Sequence, residues 1–415
     1  MDFKINSNNI GKRILCIYIF MCYNALDIII PSVANTILLY CFLGYGLLMG
    51  IFNEKKGKIR ITKYNQWYAL FMIISVITML YSPDGINIFV GKFYQMIVIF
   101  MITFFAQFYI RVKKDLIDLA WAFSVSSFVL ISTLLLTGRL IGTVENRLGS
   151  DLMGNANTFA YMIMIAVFFQ GWLVLHVEEK VCKKTILYIM LIFNMLALAL
   201  SAGRKFFIIP FIYIYILLLL KKDRRGKIHF VKYTIICLVL IVGIYNLIMS
   251  VPILYDAIGY RMEVMFDTMN GGKISNGNSI SVRHAMKSLA IQGWLESPIW
   301  GYGFDSFKYL ALEKLGELWY SHCNYVELLY NGGVLYFISY YYIYIYMIVV
   351  LLKKKTINNE YKAFMISSMI SLLVFDYVSV SYEITFIQLI IALIVYIPLI
   401  DENDKKNKMI DTHIK

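Results

Sequence analysis

The stretch SHCNYVELLYNGGVLYFISYYYIYIYMIVVLLKKK, Ser321 to Lys355, decides the fold. It opens on small polar residues and a histidine, carries no charged side chain from Leu328 to Leu352, and closes on Lys353-Lys354-Lys355. An uncharged run of this length exceeds the roughly 20 residues that a spanning helix needs. The stretch therefore predicts a transmembrane helix with a polar mouth at one end and a basic anchor at the other.

Outward from it the same pattern repeats. Apolar runs long enough to span cover residues 14–30, 33–52, 66–82, 87–110, 116–137, 157–176, 185–201, 205–220, 233–252, 328–352, 361–378 and 383–400. They predict an all-α, polytopic membrane protein with about 12 transmembrane helices. Composition agrees: 60% of the 415 residues are hydrophobic and 16% are charged, with a mean hydropathy of +0.68. The first run follows Lys12-Arg13 like a signal peptide, but it holds Asn24 and Asp27 and leads straight into a second run, so it reads as a retained helix.

The net charge of +13 raises the question of nucleic acid. The basic residues, however, lie in short clusters between apolar runs, the distribution that cytoplasmic loop bias produces, and no nucleic-acid motif accompanies them. With the N-terminus inside, most of the 39 lysines and arginines fall in cytoplasmic connectors, so both termini are expected in the cytoplasm. The six cysteines show no CxxC and no metal-ligand spacing, so neither a disulfide framework nor a zinc site is expected.

Residues 1–415 read as one membrane domain with a large extracytoplasmic loop, 252–321. Connections of this length are uncommon unless they serve a function. Inside the loop, Ser281 is positioned to cap a helix carrying Ala285, Met286, Leu289, Ala290 and Trp294 at helical spacing, which Pro298 ends. After the turn Gly301-Tyr302-Gly303, Ser306 is positioned to cap a second short helix reaching about Leu318. A second long outer connector runs from Gly138 to Asn157.

The outer side concentrates chemistry. Arg139, Arg147, Arg204, Arg261 and Arg283 all map there, and an arginine fork suits a phosphate because it offers planar, permanently charged donors. Arg139 and Arg261 read as solvated loop residues. Arg204 sits in the tight turn Ser201-Ala202-Gly203-Arg204-Lys205, which cannot lift it far from the bundle, and Arg283 sits in the first turns of the loop helix. His322, at the outer start of a spanning helix, feels the positive end of the helix dipole, which favours the neutral imidazole that a general base needs. Glu327 is a rival base, and Asn324 and Asn331 are placed to orient a sugar hydroxyl. Arg147, Gly149, Gly154, Asn155 and Asn157 form a further polar cluster. The chain has no Walker, HExxH, GxSxG or acidic metal-binding motif, so the energy of any reaction is expected to come with its substrate.

Taken together, Arg147 to Asn157 ahead of a helix, Ser201-Ala202-Gly203-Arg204 in an outer turn, R…GW…P..GYG from Arg283 to Gly303, and Ser321-His322-Cys323-Asn324-Tyr325 resemble the O-antigen ligase and polymerase superfamily, most of all its Wzy-type polymerases. The resemblance covers about residues 140–350. Ligases of that superfamily often place His and Asn side by side, whereas here Cys323 intervenes. The resemblance implies a glycosyltransferase of the bacterial cytoplasmic membrane that needs no cofactor or metal. Donor and acceptor would both be undecaprenyl-diphosphate-linked oligosaccharides, with membrane lipids around the protein and a chain-length regulator as a further partner. The roles it implies are catalytic for His322, Arg204 and Arg283, and substrate-binding for Arg147, Asn155, Asn157, Asn324 and Glu327. Two rival readings are ligase-type transfer of finished glycan to a lipid or protein acceptor, and a flippase for lipid-linked oligosaccharide. The flippase reading predicts charges deep in the bundle, where this chain has chiefly Asp27 and Lys92.

Overall fold

The computed structural model describes residues 7–24, 30–52, 61–83, 85, 87, 89–139, 148–149, 156–201, 203–221, 227–260, 262–264 and 279–414. Within them the secondary structure is helical throughout: α1 (Ser7–Asn24), α2 (Val33–Phe52), α3 (Lys63–Met79), α4 (Tyr94–Tyr109, entered through a π-turn at Phe89–Phe93), α5 (Lys113–Leu136), α6 (Ala156–His176), α7 (Val181–Leu200), α8 (Arg204–Leu219), α9 (Lys227–Ser250), α10 (Ser279–Glu296), α11 (Phe307–Leu315), α12 (Asn324–Lys353), α13 (Asn359–Val378) and α14 (Thr385–Ile414). Eight helices are long and apolar enough to cross a membrane: α4 with the end of its π-turn, α5, α6, α7, α9, α12, α13 and α14. This is a multi-pass membrane architecture. The remaining four of the 12 expected runs also form helices, but α2 and α8 contribute shorter apolar pieces, and α1 and α3 span 18 and 17 residues with polar residues among the apolar ones.

Helices α6 and α14 form the centre, each with 83% of its spanning window enclosed, whereas α9 lies at the edge with 12%. Around that centre α5 and α8 pack on α6, α13 packs on α8, α12 on α3, and α14 on α4 and α13. A chain of buried hydrogen bonds links several of these helices. Tyr340 Oη and Ser381 Oγ lie 3.1 Å apart, Gln388 Nε2 donates to Tyr340 Oη at 3.0 Å, and Tyr64 Oη donates to Gln388 Oε1 at 3.3 Å. The tyrosine-rich run is thus largely internal: Tyr336, Tyr340, Tyr341 and Tyr344 are buried, and Tyr342 faces outward. Polar groups in lipid must find partners within the protein, and these phenols do.

The two ends of the bundle differ. At one, Lys12 pairs with Asp115 and Asp118 at 2.7 and 2.6 Å, and Lys113 pairs with Glu360 at 2.6 Å, tying α1 and α13 to α5. At the other lie the start of α12, the end of α13, the starts of α8 and α14, and the loop helices α10 and α11.

The run that opened the sequence reading does not form one continuous helix. α12 begins four residues before Leu328, at Asn324, and breaks at Gly332 (φ −141°, ψ 18°) and Gly333 (φ 66°, ψ −167°). A break there frees main-chain groups that need partners. The Pro298–Gly303 segment supplies them: Tyr302 N–H donates to Tyr330 O at 3.0 Å, Gly303 N–H to Asn331 O at 2.7 Å, and Val334 N–H to Pro298 O at 2.8 Å. The approach is so close that a Cβ on Gly301 would lie 2.5 Å from Tyr330 O, and one on Gly333 would lie 2.1 Å from Ile299 O. The glycines of the GYG turn are therefore there to dock the loop onto the broken helix.

The loop helices form near the expected places with shifted ends. α10 starts at Ser279, so Ser281 lies inside it and is no cap. α11 does follow Ser306 but stops at Leu315, because Gly316 adopts φ 84° and closes the helix in the left-handed region.

Candidate functional site

His322 sits in a turn built by its neighbours. Ser321 N–H donates to Glu327 Oε2 at 2.7 Å, Ser321 Oγ donates to the Cys323 carbonyl at 2.9 Å, and Cys323 N–H donates back to Ser321 Oγ at 3.3 Å. These bonds hold His322 at φ 58°, a conformation that costs a residue with a Cβ roughly 1–2 kcal/mol. The imidazole stacks on Tyr320 with ring centres 4.1 Å apart. Its Nδ1 is buried and has no hydrogen-bond partner among the described residues.

Cations from two other elements converge on this ring. Arg283 and Lys287 come from the first half of α10 and Lys205 from the first turn of α8. Burial first, then repulsion from Arg283, Lys205 and Lys287, pushes the His322 imidazole down to about 3, so it is neutral at physiological pH. The same field acts among the cations themselves: burial, then Arg283, lowers the Lys287 ammonium, with Cys323 opposing. Both lysines lean on the end of α13. Lys205 Nζ donates to Val378 O at 2.5 Å, and Lys287 Nζ donates to Tyr377 O at 2.9 Å while lying 3.9 Å from the centre of the Tyr377 ring. A helix C-terminus presents carbonyls that favour cations, so the corner between α13 and α14 collects positive charge.

On the other side of Tyr320 the charges are paired. Lys92, in the π-turn before α4, bonds Asp305 at 2.7 Å and Glu383 at 3.2 Å, and Lys308 bonds Asp305 at 2.8 Å. Asp305 is itself at φ 59°. The pairing fastens the loop after the GYG turn to α4 and to the start of α14. The Tyr320 phenol feels both sides: burial raises it, Arg283 and Lys92 lower it, and Glu327 and Glu383 raise it.

The structure thus brings together His322, Arg283, Glu327 and Asn324. Glu327 is 1% exposed and occupied by the Ser321 N–H. Asn324 is fully engaged: Nδ2 donates to Tyr341 Oη at 3.0 Å, and Oδ1 accepts from Ser381 N–H at 3.0 Å. Asn331 caps α11, accepting from Ser306 Oγ and Phe307 N–H, both at 3.2 Å. These two asparagines hold structure where the sequence suggested contact with a sugar. Asn157 lies in the first turn of α6, and Arg204 opens α8; its neighbour Lys205 is the residue seen entering the site. Arg147 and Asn155 lie outside the described residues, as does Arg261. Lys205 and Lys287 were visible in the sequence only as outer-side lysines. The signal for Lys205 was its place beside Arg204, and for Lys287 its position one helical turn after Arg283. Among the described residues, no group of three or more His, Cys, Asp or Glu is disposed to hold a metal ion.

Fold and site define a multi-pass helical membrane protein with a cation-rich polar site at one end of its bundle. Neither a protein-family model nor a curated protein matches the chain.

Proposed function

We propose that the chain is a membrane glycosyltransferase that polymerises undecaprenyl-diphosphate-linked oligosaccharide repeat units into a capsular, O-antigen or exopolysaccharide chain at the outer leaflet of the cytoplasmic membrane. The observation that carries the reading is the convergence of Arg283, Lys205 and Lys287 on a neutral His322. A diphosphate leaving group gains charge as the glycosidic bond to it breaks, and fixed cations in a site shielded from water stabilise that charge. The acceptor hydroxyl must lose a proton in the same step, which is the task of a positioned base. His322 is held unprotonated by the very cations that an anionic donor would neutralise. Donor binding therefore raises its basicity when an acceptor is to be deprotonated. Arg204 and Arg147 are assigned to the same diphosphate on the strength of the sequence resemblance alone.

The test is the glycan made by cells in which this chain has been deleted and then restored. Single unpolymerised repeats in the deletion strain, with a ladder of longer chains on complementation, support a polymerase. Long chains accumulating on the carrier lipid would make the protein a ligase instead. Loss of all surface-exposed repeats, with lipid-linked units retained inside, would make it a flippase.

A further inference from the structure

The connection from α13 into α14 touches nearly everything that shapes the site. Its carbonyls at Tyr377 and Val378 receive Lys287 and Lys205. The carbonyl of Ser379 accepts the Asn324 N–H at 3.1 Å, and the N–H of Ser381 donates to Asn324 Oδ1 at 3.0 Å. Asn324 follows His322 by two residues, so these two bonds fix the His322 turn to the same corner that holds the lysines. Behind the corner lies Asp376, with 0% of its surface exposed. Its Oδ2 accepts from Tyr341 Oη at 2.9 Å, and Tyr341 Oη in turn accepts from Asn324 Nδ2 at 3.0 Å. Tyr341 is a poor candidate for anything but support: it is 8% exposed and stacks on Tyr325 at 5.0 Å.

A carboxyl group deep in a bundle is costly unless it makes good hydrogen bonds. Asp376 makes its bond to a phenol whose other bond goes to the residue that starts α12. The sequence offered Asp376 as a nucleophile, since a carboxylate near the site is able to form a glycosyl ester. The geometry gives it a different task, because its described partner is a buried tyrosine within the bundle.

We propose that Asp376 is a positioning residue: through Tyr341 and Asn324 it clamps the His322 turn to the α13–α14 corner, so that the imidazole and the two lysines are held in one fixed arrangement. The clamp itself follows from the structure; its effect on rate rests on the function proposed above.

The experiment separates the two. Cys323 adjoins both His322 and Asn324 and is 2% exposed, so its thiol reports the opening of the turn. In a protein whose other five cysteines are serine or alanine, N-ethylmaleimide should alkylate Cys323 about ten- to hundredfold faster in Asp376→Asn and in Tyr341→Phe than in the parent, the factor that loss of one strong buried hydrogen bond corresponds to. The double variant should be no faster than the quicker single one, because both substitutions cut the same chain. Polymerisation should fall in parallel, mainly in kcat with little change in donor KM, and no glycosyl ester should form on the protein. An unchanged Cys323 alkylation rate in both single variants overturns the clamp, as does alkylation that multiplies in the double variant. Trapping a glycosyl ester on Asp376 overturns it too and makes Asp376 the nucleophile. Absence of polymerisation by the parent protein refutes the proposed function and leaves the alkylation result to decide the clamp.

Discussion

Two groups of lysines flank Tyr320, and they differ in what they rest on. Lys92 and Lys308 meet the carboxylates of Asp305 and Glu383, so their charge is cancelled where it sits. Lys205 and Lys287 lean on the carbonyls of Val378 and Tyr377. A carbonyl is only a dipole, and the positive field that survives is strong enough to help suppress the protonation of His322. The paired group closes the fold; the carbonyl-bound group is equipped to receive an anion. The same residue type thus serves architecture on one side of a tyrosine and chemistry on the other.

The comparison breaks most sharply at His322. His322→Ala should lower the polymerisation rate about a hundredfold to ten-thousandfold, the span that a positioned base contributes, with the thermal midpoint of the detergent-solubilised protein nearly unchanged. Lys92→Met should do the reverse. Leaving Asp305 without its cation should cost up to about 3 kcal/mol of stability, toward the lower end for a broken buried pair because Lys92 retains some solvent contact. That loss would be read as a lowered thermal midpoint and weaker membrane yield, not as a specific loss of donor binding. If Lys92→Met instead abolished donor binding in a stable protein, the division between the two groups would be wrong.

Arg283→Ala and Lys287→Ala come next. Each should weaken the interaction with a diphosphate by about 1.5–3 kcal/mol, the worth of one charge-assisted contact, measurable as reduced binding of a lipid-linked diphosphate. The smallest effect is on pH dependence. His322 titrates far below its unfolded value, so between about pH 6.5 and 3 the unfolded chain binds a proton that the folded one does not, and stability falls as pH drops through that window. His322→Gln should remove part of that slope in thermal melts, and Lys287→Gln should shift the imidazole upward and narrow the window from its acid end.

Much of this architecture is legible in the chain because lipid imposes a simple rule: uncharged runs of about 20 residues become helices. The break in α12 was written as Asn331-Gly332-Gly333, but in a run so apolar from Leu328 to Leu352 the length signal overrides two glycines. Only the docking of the distant GYG turn explains why both are needed. His322 and Arg283 stood out because charged and titratable residues are scarce near membrane helices. Lys205 and Lys287 did not, since a lysine near a helix end is ordinary until its carbonyl partner on another helix is known. Asn324 and Asn331 were read as sugar contacts for a related reason. Asparagine suits capping, bridging and ligand binding alike, and the choice depends on neighbours dozens of residues away, Ser381 and Tyr341 for one and Ser306 for the other.

The most direct test of the account is polymerisation by the purified protein in a lipid bilayer supplied with its lipid-diphosphate-linked repeat unit. The account predicts a ladder of products from the wild type, none detectable from His322→Ala, and a severely shortened ladder from Arg283→Ala. Full ladders from both variants, with both proteins folded, would contradict it.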